Sequence, residues 1–266
     1  MIFLLVLAGV LAFLVMVALW LVQRKTNNAG IVDVGWSSTV PLLTLFYFVM
    51  LDGASSTRSI ITLVMALLWG GRLAVHIHRR GHGKPEDARY ADLRISWGRH
   101  FQWKLFIFFQ VQAVAAVIFS LPFLIPILKG VVEKSGGPDA LNGIELTGVT
   151  IWLLAWLGEG AADRQLNRFK ADPANRGKVC EAGWWNYSRH PNYFFEWLIW
   201  VGLAVFCWSA PSGYIALVCP LLMLFFLFKI TGIPATEEQA LKSKGEAYRR
   251  YQQTTSAFIP WFKKKA

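Results

Sequence analysis

Long apolar runs separated by short polar stretches dominate the hydrophobic pattern of the chain. The first run, from Ile2 to Val22, contains no charged residue and is followed directly by Gln23-Arg24-Lys25. Charge after the run, rather than before it, favours a retained membrane span over a signal peptide. Six further runs follow: Val34–Leu51, Ser59–Ile77, Leu105–Leu128, Ile144–Gly158, Tyr193–Trp208 and Gly213–Phe228. Because about 20 apolar residues are enough to cross a bilayer, the pattern predicts an all-α integral membrane protein with seven transmembrane helices.

The distribution of charge predicts the orientation of these helices. The chain is 55% hydrophobic and only 16% charged, yet its net charge is +11. If all seven runs cross the membrane, 23 of the 27 Lys and Arg residues lie on one side, three lie on the other, and Arg72 lies within the third run. The positive-inside rule then places the N-terminus outside and the C-terminus in the cytoplasm. A nucleic-acid partner is not expected, because it would require a basic face on a soluble fold.

A polar stripe follows the fifth run and continues its helix. Its members recur at helical intervals and share one face: Glu159, Asp163, Asn167 and Lys170. Such a stripe is also typical of a solvated helix end. Glu159, however, is expected at membrane depth, where a carboxylate is costly and marks a candidate functional site.

Two further segments carry candidate chemistry. The turn-rich loop Asp172–Lys178 is basic, which suits either the phosphates of a ligand or anionic lipid. The segment Gly183–Tyr193 then leads into the sixth run, with Pro191 well placed as the first helical residue. Asn192 and Glu196 are four residues apart and therefore share a helix face. A capping turn explains the proline but not a carboxylate inside an apolar run.

The C-terminal region predicts a helix on the membrane surface. Thr236-Glu237-Glu238-Gln239 has the spacing of a capping box. Leu241, Tyr248 and Tyr251 then fall on one side among Lys and Arg residues, which predicts an amphipathic cytoplasmic helix.

Together these segments resemble the C-terminal domain of the steroid 5α-reductase superfamily, the 3-oxo-5α-steroid 4-dehydrogenase-like domain. The resemblance rests on Asp163…Lys170, on Arg189-His190-Pro191-Asn192-Tyr193 with Glu196, and on the tail Glu237-Glu238…Tyr248…Phe258-Ile259-Pro260. Val32-Asp33-Val34-x-Trp36 and Glu86-Asp87-x-Arg89-Tyr90 resemble motifs of a bacterial membrane branch of the superfamily. The resemblance spans nearly the whole chain and implies a multi-pass protein of the bacterial inner membrane.

The resemblance implies a single membrane domain over residues 1–266, with substrate-side helices in 1–128 and a cofactor-binding region in 144–266. It also implies an NADPH-dependent reductase of a carbon–carbon double bond conjugated to a carbonyl in a lipophilic substrate. The implied cofactor-binding residues are Asp163, Asn167, Arg168, Lys170, Arg176, Tyr187, Arg189, His190, Asn192, Glu196, Glu238 and Tyr248.

The substrate side departs from the family pattern. Members of the family hold the ketone with an early Gln-Glu pair and a Tyr in a His-x-x-His-Arg context. Where the family has the Gln-Glu pair, this chain has only Asp33. Where the family has the Tyr motif, it has His76-Ile77-His78-Arg79. Hydride addition to an enone moves charge onto the carbonyl oxygen, so a proton donor is needed there. Asp33, His76 and Tyr90 are the candidate catalytic residues, and the departure leaves the substrate open among sterol-like, terpenoid and fatty enones. We expect a dry substrate pocket among the first four spans.

Other functions remain open on the sequence. Membrane S-adenosylmethionine-dependent methyltransferases of the isoprenylcysteine and phospholipid type resemble the same C-terminal pattern. Metal binding is not expected, because the chain has five histidines and only His76, His78 and His82 cluster. A non-enzymatic membrane protein would leave Glu159 and Glu196 unexplained. The expected partners are a lipophilic small molecule and membrane lipids, and the oligomeric state is undetermined.

Overall fold

Helices account for nearly all of the structure, a computed structural model that describes residues 2–81, 83, 86–134, 140–230 and 232–264. Within these ranges no strand forms, and a β-bridge joins Ser188 to Ser256. The all-α fold class is therefore confirmed. The chain divides into two compact units, Met1–Leu141 with Ala210–Ser212, and Asn142–Ser209 with Gly213–Ala266.

The first unit is built on four long apolar helices and one short polar helix. The long ones are α1 (Ile2–Thr26), α2 (Ile31–Met50), α3 (Thr57–Gly81) and α5 (Phe101–Lys134), and the short one is α4 (Ala88–Trp97). Trp36 of α2 meets the ring of Trp69 at 5.7 Å and the ring of Phe119 at 5.4 Å, both edge-on. Edge-to-face packing suits the quadrupoles of the rings, so these aromatic contacts join α2 to α3 and α5.

The second unit contains the segments with candidate chemistry. Its helices are α6 (Gly143–Ala171), α7 (Pro191–Cys207), α8 (Val218–Phe225), α9 (Ile233–Lys244) and α10 (Glu246–Thr254). A capping box starts α6, because the Asn142 side chain accepts hydrogen bonds from the first turn and Glu145 bonds back to the Asn142 backbone. As predicted, α7 begins at Pro191.

Five helical stretches in the described residues are long and apolar enough to cross a membrane. They are Ile2–Thr26, Ile31–Met50, Thr57–Gly81, Arg89–Glu133 and Gly213–Lys244. The predicted fifth run lies within α6, and the sixth corresponds to α7, which has 17 residues. Several apolar helices are typical of a multi-pass membrane protein. The count of seven and the orientation stay predictions.

The last apolar run is less regular than the pattern predicts. It begins as a 3₁₀ turn at Gly213–Leu217, continues as α8 and ends in a π-helical turn at Phe226–Ile230. Pro220 in the first turn of α8 is compatible with this start, because early helical positions do not need its missing N–H.

Two glycines let α6 and α7 approach closely. A β-carbon built on Gly148 would lie 2.4 Å from the backbone nitrogen of Phe206, and one on Gly202 would lie 2.7 Å from the nitrogen of Trp152. Small residues at such crossings are typical of membrane helix pairs. The close approach brings the polar residues of the two helices opposite one another.

We expect Gly148→Ala to destabilise the second unit by about 1–3 kcal/mol, because the added methyl group forces two backbones apart. Thermal unfolding of the detergent-solubilised protein measures the effect. Gly143→Ala is the matched control on the same helix, since a β-carbon there meets nothing within 4 Å. Equal melting temperatures for the two variants would contradict the close packing.

The C-terminal region differs from its prediction. The predicted capping box at Thr236 is wrong, because α9 starts earlier, at Ile233, and has no side-chain cap. The predicted single amphipathic helix is also wrong. Gly245 adopts φ +54°, which glycine tolerates, and divides α9 from α10. Tyr248 and Tyr251 of α10 are buried within the second unit.

Candidate functional site

A polar cluster lies between α6 and α7. Asp163 and Glu159 on α6 are buried, as is Glu196 on α7. The Asn192 side-chain nitrogen donates a hydrogen bond to Asp163 Oδ1 at 3.4 Å. Glu196 Oε1 accepts one from the indole nitrogen of Trp200 at 2.9 Å. The two predicted polar faces therefore meet at Asn192 and Asp163, and Glu159 and Glu196 are buried on the same two helices.

The predicted stripe on α6 changes from buried to exposed along the helix. Glu159 and Asp163 are buried, whereas Asn167 and Lys170 are exposed. Arg168 and Arg176 are exposed as well, on the last turn of α6 and in the loop after it. A buried acidic end followed by an open basic end can hold a ligand that has both a neutral and an anionic part.

The loop between α6 and α7 is fixed against α6. The Trp185 indole nitrogen donates to the carbonyl oxygen of Ala162 at 2.9 Å, and the backbone N–H of Trp184 donates to Gln165 Oε1 at 2.9 Å. From the tail, the Tyr251 hydroxyl donates to the carbonyl oxygens of Trp185 and Ser188. The entrance to α7 is thus held from two sides.

An ionic cluster joins this loop to the C-terminal helices. Arg189 Nε donates to Glu237 Oε1 at 2.7 Å, and His190 Nε2 lies 3.2 Å from the same oxygen. Gln252 Nε2 donates to Glu237 Oε2 at 2.8 Å. Burial and the Glu237 carboxylate raise the pKa of the neighbouring Tyr248 hydroxyl, which keeps that group protonated as a donor.

Arg189 also holds the chain beyond α10. Its Nη1 donates to the carbonyl oxygens of Gln252 and Thr255 at 2.9 and 2.6 Å. These contacts use the guanidinium to position the tail, in addition to the cofactor role that the resemblance implies.

The structure distinguishes two adjacent glutamates that the sequence does not. Glu238, the predicted cofactor residue, has a side chain that is 68% exposed and pairs with Lys242. Glu237 is 14% exposed and sits in the ionic cluster. Sequence reasoning missed Glu237 and Gln252. Nothing in their spacing marks them, because Glu237 meets Arg189 across 48 positions and Gln252 joins the cluster through Glu237.

Removing the charge of Glu237 is expected to weaken the second unit. Glu237→Gln should lower the free energy of unfolding by about 1.5–3 kcal/mol, the usual value of hydrogen bonds to a charged group. Glu238→Gln is the neighbouring control and should change the stability much less, because its pair with Lys242 is exposed to solvent. Thermal unfolding at pH 7 compares them, and a larger effect at Glu238 would overturn the assignment.

In the first unit, two of the three predicted catalytic residues lie together. The Tyr90 hydroxyl donates to Asp33 Oδ1 at 2.8 Å, and Arg89 Nη2 donates to Asp33 Oδ2 at 3.0 Å. Tyr90 is 3% exposed. Asp33 lies in the first turn of α2, where the helix dipole also favours negative charge. The pair can therefore present a tyrosine hydroxyl held by an ionised carboxylate.

The segment before α4, the helix that carries Tyr90, is tied to the segment before α2. Glu86 Oε1 accepts from the backbone N–H of Ala29 at 2.7 Å and from Arg94 Nη2 at 3.0 Å. His76, the third candidate, lies on α3. The described residues contain no group of three or more His, Cys, Asp or Glu side chains placed to hold a metal, and His82 lies outside them.

These features define a class of protein. Several apolar helices identify an all-helical membrane protein. Ionisable side chains are buried on α6 and α7, and buried charges of this kind mark functional sites in membrane proteins. The chain belongs to the family described as "Protein of unknown function (DUF1295)", whose model matches residues 19–255. That family belongs to the steroid 5-alpha-reductase-like superfamily, which confirms the resemblance at the level of the superfamily. The bacterial branch stays a prediction.

Three relatives are similar to the chain over different extents. The uncharacterized protein C594.04c of Schizosaccharomyces pombe is 25% identical over 94% of this chain and 78% of its own length. Delta(14)-sterol reductase LBR of Gallus gallus is 34% identical over 35% of this chain, which is 14% of that protein. The probable O-methyltransferase ustE of Ustilaginoidea virens is 29% identical over 46% of this chain and 42% of its own length. No solved structure matches the chain.

Proposed function

We propose that the protein is an NADPH-dependent reductase that acts on a carbon–carbon double bond conjugated to a carbonyl in a lipophilic substrate. The distant similarity to a sterol reductase supports a reductase-like enzyme. The charge distribution supports a membrane protein whose C-terminus faces the cytoplasm, and the resemblance to a bacterial membrane branch supports the bacterial inner membrane.

The observation that carries this proposal is the hydrogen bond between Asn192 and Asp163. The carboxamide of nicotinamide has a carbonyl oxygen that accepts a hydrogen bond and an NH₂ group that donates one. A protein that recognises it therefore needs one donor and one acceptor. Asn192 offers the NH₂ donor and Asp163 the carboxylate acceptor. Both are on helices rather than loops, which holds them at fixed positions.

The anionic part of the cofactor would be bound by basic residues near the end of α6. Arg168, Lys170 and Arg176 are exposed and closely spaced in sequence. One guanidinium group can bind two phosphate oxygens at once, which suits the pyrophosphate and the 2′-phosphate of NADPH. NADPH itself supplies the hydride.

In the first unit, Tyr90 is the proposed proton donor to the substrate carbonyl. Its single hydroxyl proton is donated to Asp33, whose charge Arg89 balances. To donate to a substrate, the hydroxyl must turn this proton from Asp33 to the carbonyl oxygen. A donor at the carbonyl oxygen stabilises the negative charge that develops there when hydride adds to the double bond. Asp33 is then a positioning residue for Tyr90.

A lipophilic substrate fits the character of the first unit. A cleft of about 390 Å³ in this unit is lined by Trp20, Arg24, Gln102, Trp103 and Phe106. Its walls are mostly aromatic rings, and apolar walls favour an apolar guest. This cleft is the proposed entry for a substrate that arrives from the lipid.

The second candidate is an S-adenosylmethionine-dependent methyltransferase. The similarity to a probable O-methyltransferase covers a longer part of this chain than the similarity to the sterol reductase, at lower identity. Equilibrium binding of each cofactor to the purified protein separates the two functions. We expect saturable binding of NADPH. Saturable binding of S-adenosylmethionine without NADPH binding would reject the reductase.

A further inference from the structure

The C-terminal tail, residues 258–264, is fixed to the second unit by its own backbone. The N–H of Trp261 donates to the carbonyl oxygen of Tyr187 at 2.9 Å, and the N–H of Lys264 donates to that of Thr254 at 2.9 Å. Lys263 pairs with Glu181. The tail therefore has a defined position, and the side chains that it exposes are held there.

The tail exposes large apolar side chains. Ile259, Trp261 and Phe262 are 58%, 67% and 76% exposed. Tyr187, which meets the ring of Phe262 edge-on, is 38% exposed and extends the same surface. A contiguous apolar surface of this kind marks contact with an apolar partner.

The packing of the tail sets its depth relative to the membrane. The ring of Phe258 lies 5.2 Å from that of Phe228, the last residue of the predicted seventh span. It also lies 5.6 Å from the ring of Phe194, in the first turn of α7. The tail is thus at the level where two predicted spans leave the hydrocarbon. Tryptophan and other aromatic residues are enriched at this level.

A cleft of about 540 Å³ opens beside the tail. Its lining includes the aromatic side chains of Trp261 and Phe262 together with Lys264, Arg189 and Ser256. All of the lining residues are described in the structure, and they include two cations and no carboxylate. The cleft therefore combines aromatic and positively charged side chains.

We propose that this cleft binds an anionic phospholipid of the surrounding membrane. Lys264 binds the lipid phosphate, and Ser256 offers a hydroxyl donor. Arg189 also lines the cleft, but Glu237 compensates its charge and carbonyl oxygens of Gln252 and Thr255 accept its hydrogen bonds, so Lys264 supplies the attraction for the phosphate. The acyl chains pass Trp261 and Phe262 into the bilayer. This lipid is a bound component and not the substrate of the proposed reductase.

Quenching of tryptophan fluorescence by brominated lipid tests the proposal in nanodiscs. The difference between the wild-type protein and Trp261→Phe isolates the signal of Trp261. We expect brominated phosphatidylglycerol to quench that signal at about fivefold lower mole fraction than brominated phosphatidylcholine, the value of one lysine near an anionic surface. Lys264→Gln should remove the preference. Lys242→Gln, an exposed lysine outside the cleft, should retain it.

Three results would overturn the proposal. If neither brominated lipid quenches Trp261, this side chain does not lie at the membrane interface. Equal quenching by both lipids, unchanged in Lys264→Gln, would mean interface contact without an anionic site. Quenching that inorganic phosphate or adenosine 2′,5′-bisphosphate reverses would assign the cleft to a soluble phosphate ligand. NADPH affinity, measured in parallel, is a separate readout for the proposed function.

Discussion

Asn192→Ala should weaken NADPH binding by about 10- to 100-fold, because it removes the amide that recognises the carboxamide of the cofactor. Asp163→Ala should have a similar effect through loss of the acceptor. Titration of NADPH into the purified protein, followed by the fluorescence of the cofactor, measures both. The change should lie mainly in affinity, since the hydrogen bond between Asn192 and Asp163 is long, at 3.4 Å.

Gln239→Ala is the control for the loss of an amide, because Gln239 is exposed on α9. The melting temperatures of all three variants should stay close to that of the wild-type protein. Unchanged NADPH affinity in both Asn192→Ala and Asp163→Ala would remove the basis for the cofactor site. If neither the wild-type protein nor any variant binds NADPH, and both variants bind S-adenosylmethionine more weakly than the wild-type protein, Asn192 and Asp163 belong to the site of a methyltransferase.

Tyr90→Phe should reduce the rate of substrate reduction by about 10²- to 10³-fold, the usual cost of removing one donor to a developing oxyanion. NADPH oxidation in detergent micelles, with steroidal and long-chain enones as probes, measures the rate. The affinity for NADPH should not change, because Tyr90 is proposed to contact the substrate carbonyl and not the cofactor.

Asp33→Asn distinguishes a donor from its positioning residue. The amide can still accept the hydrogen bond of Tyr90, but it no longer balances Arg89. We expect a smaller loss of rate than in Tyr90→Phe. Tyr214→Phe is the control, since Tyr214 is 65% exposed. A full rate in Tyr90→Phe would eliminate the tyrosine as the proton donor and leave His76 as the remaining candidate.

The hydrophobic pattern predicts the helices well, because each helix must cover its backbone with apolar side chains in a membrane. It does not predict their ends. The fourth run, Leu105–Leu128, is contained in the longer helix α5, since polar residues continue a helix beyond the apolar part. Pro191 is an exception, because its ring fixes φ and suits a first turn. Local chemistry of that kind can be read directly from the sequence.

The candidate site depends on contacts that no local pattern contains. Glu237 rather than Glu238 pairs with Arg189 because α9 starts at Ile233. This start determines which of the two glutamates faces Arg189. The contact between Asp33 and Tyr90 joins residues 57 positions apart. Both depend on how separate segments pack, whereas the polar faces of α6 and α7 follow from spacing alone.

The attachment of the loop before α7 to the end of the chain has a consequence for biosynthesis. Arg189 bonds to Glu237 and to carbonyl oxygens of Gln252 and Thr255, and the Tyr187 carbonyl oxygen binds Trp261. These partners all come later in the chain than the loop. The loop therefore cannot take its final position until residues 237–261 have been synthesised. Folding of the second unit is in this respect completed from its C-terminal side, after the helices α6 and α7 have formed.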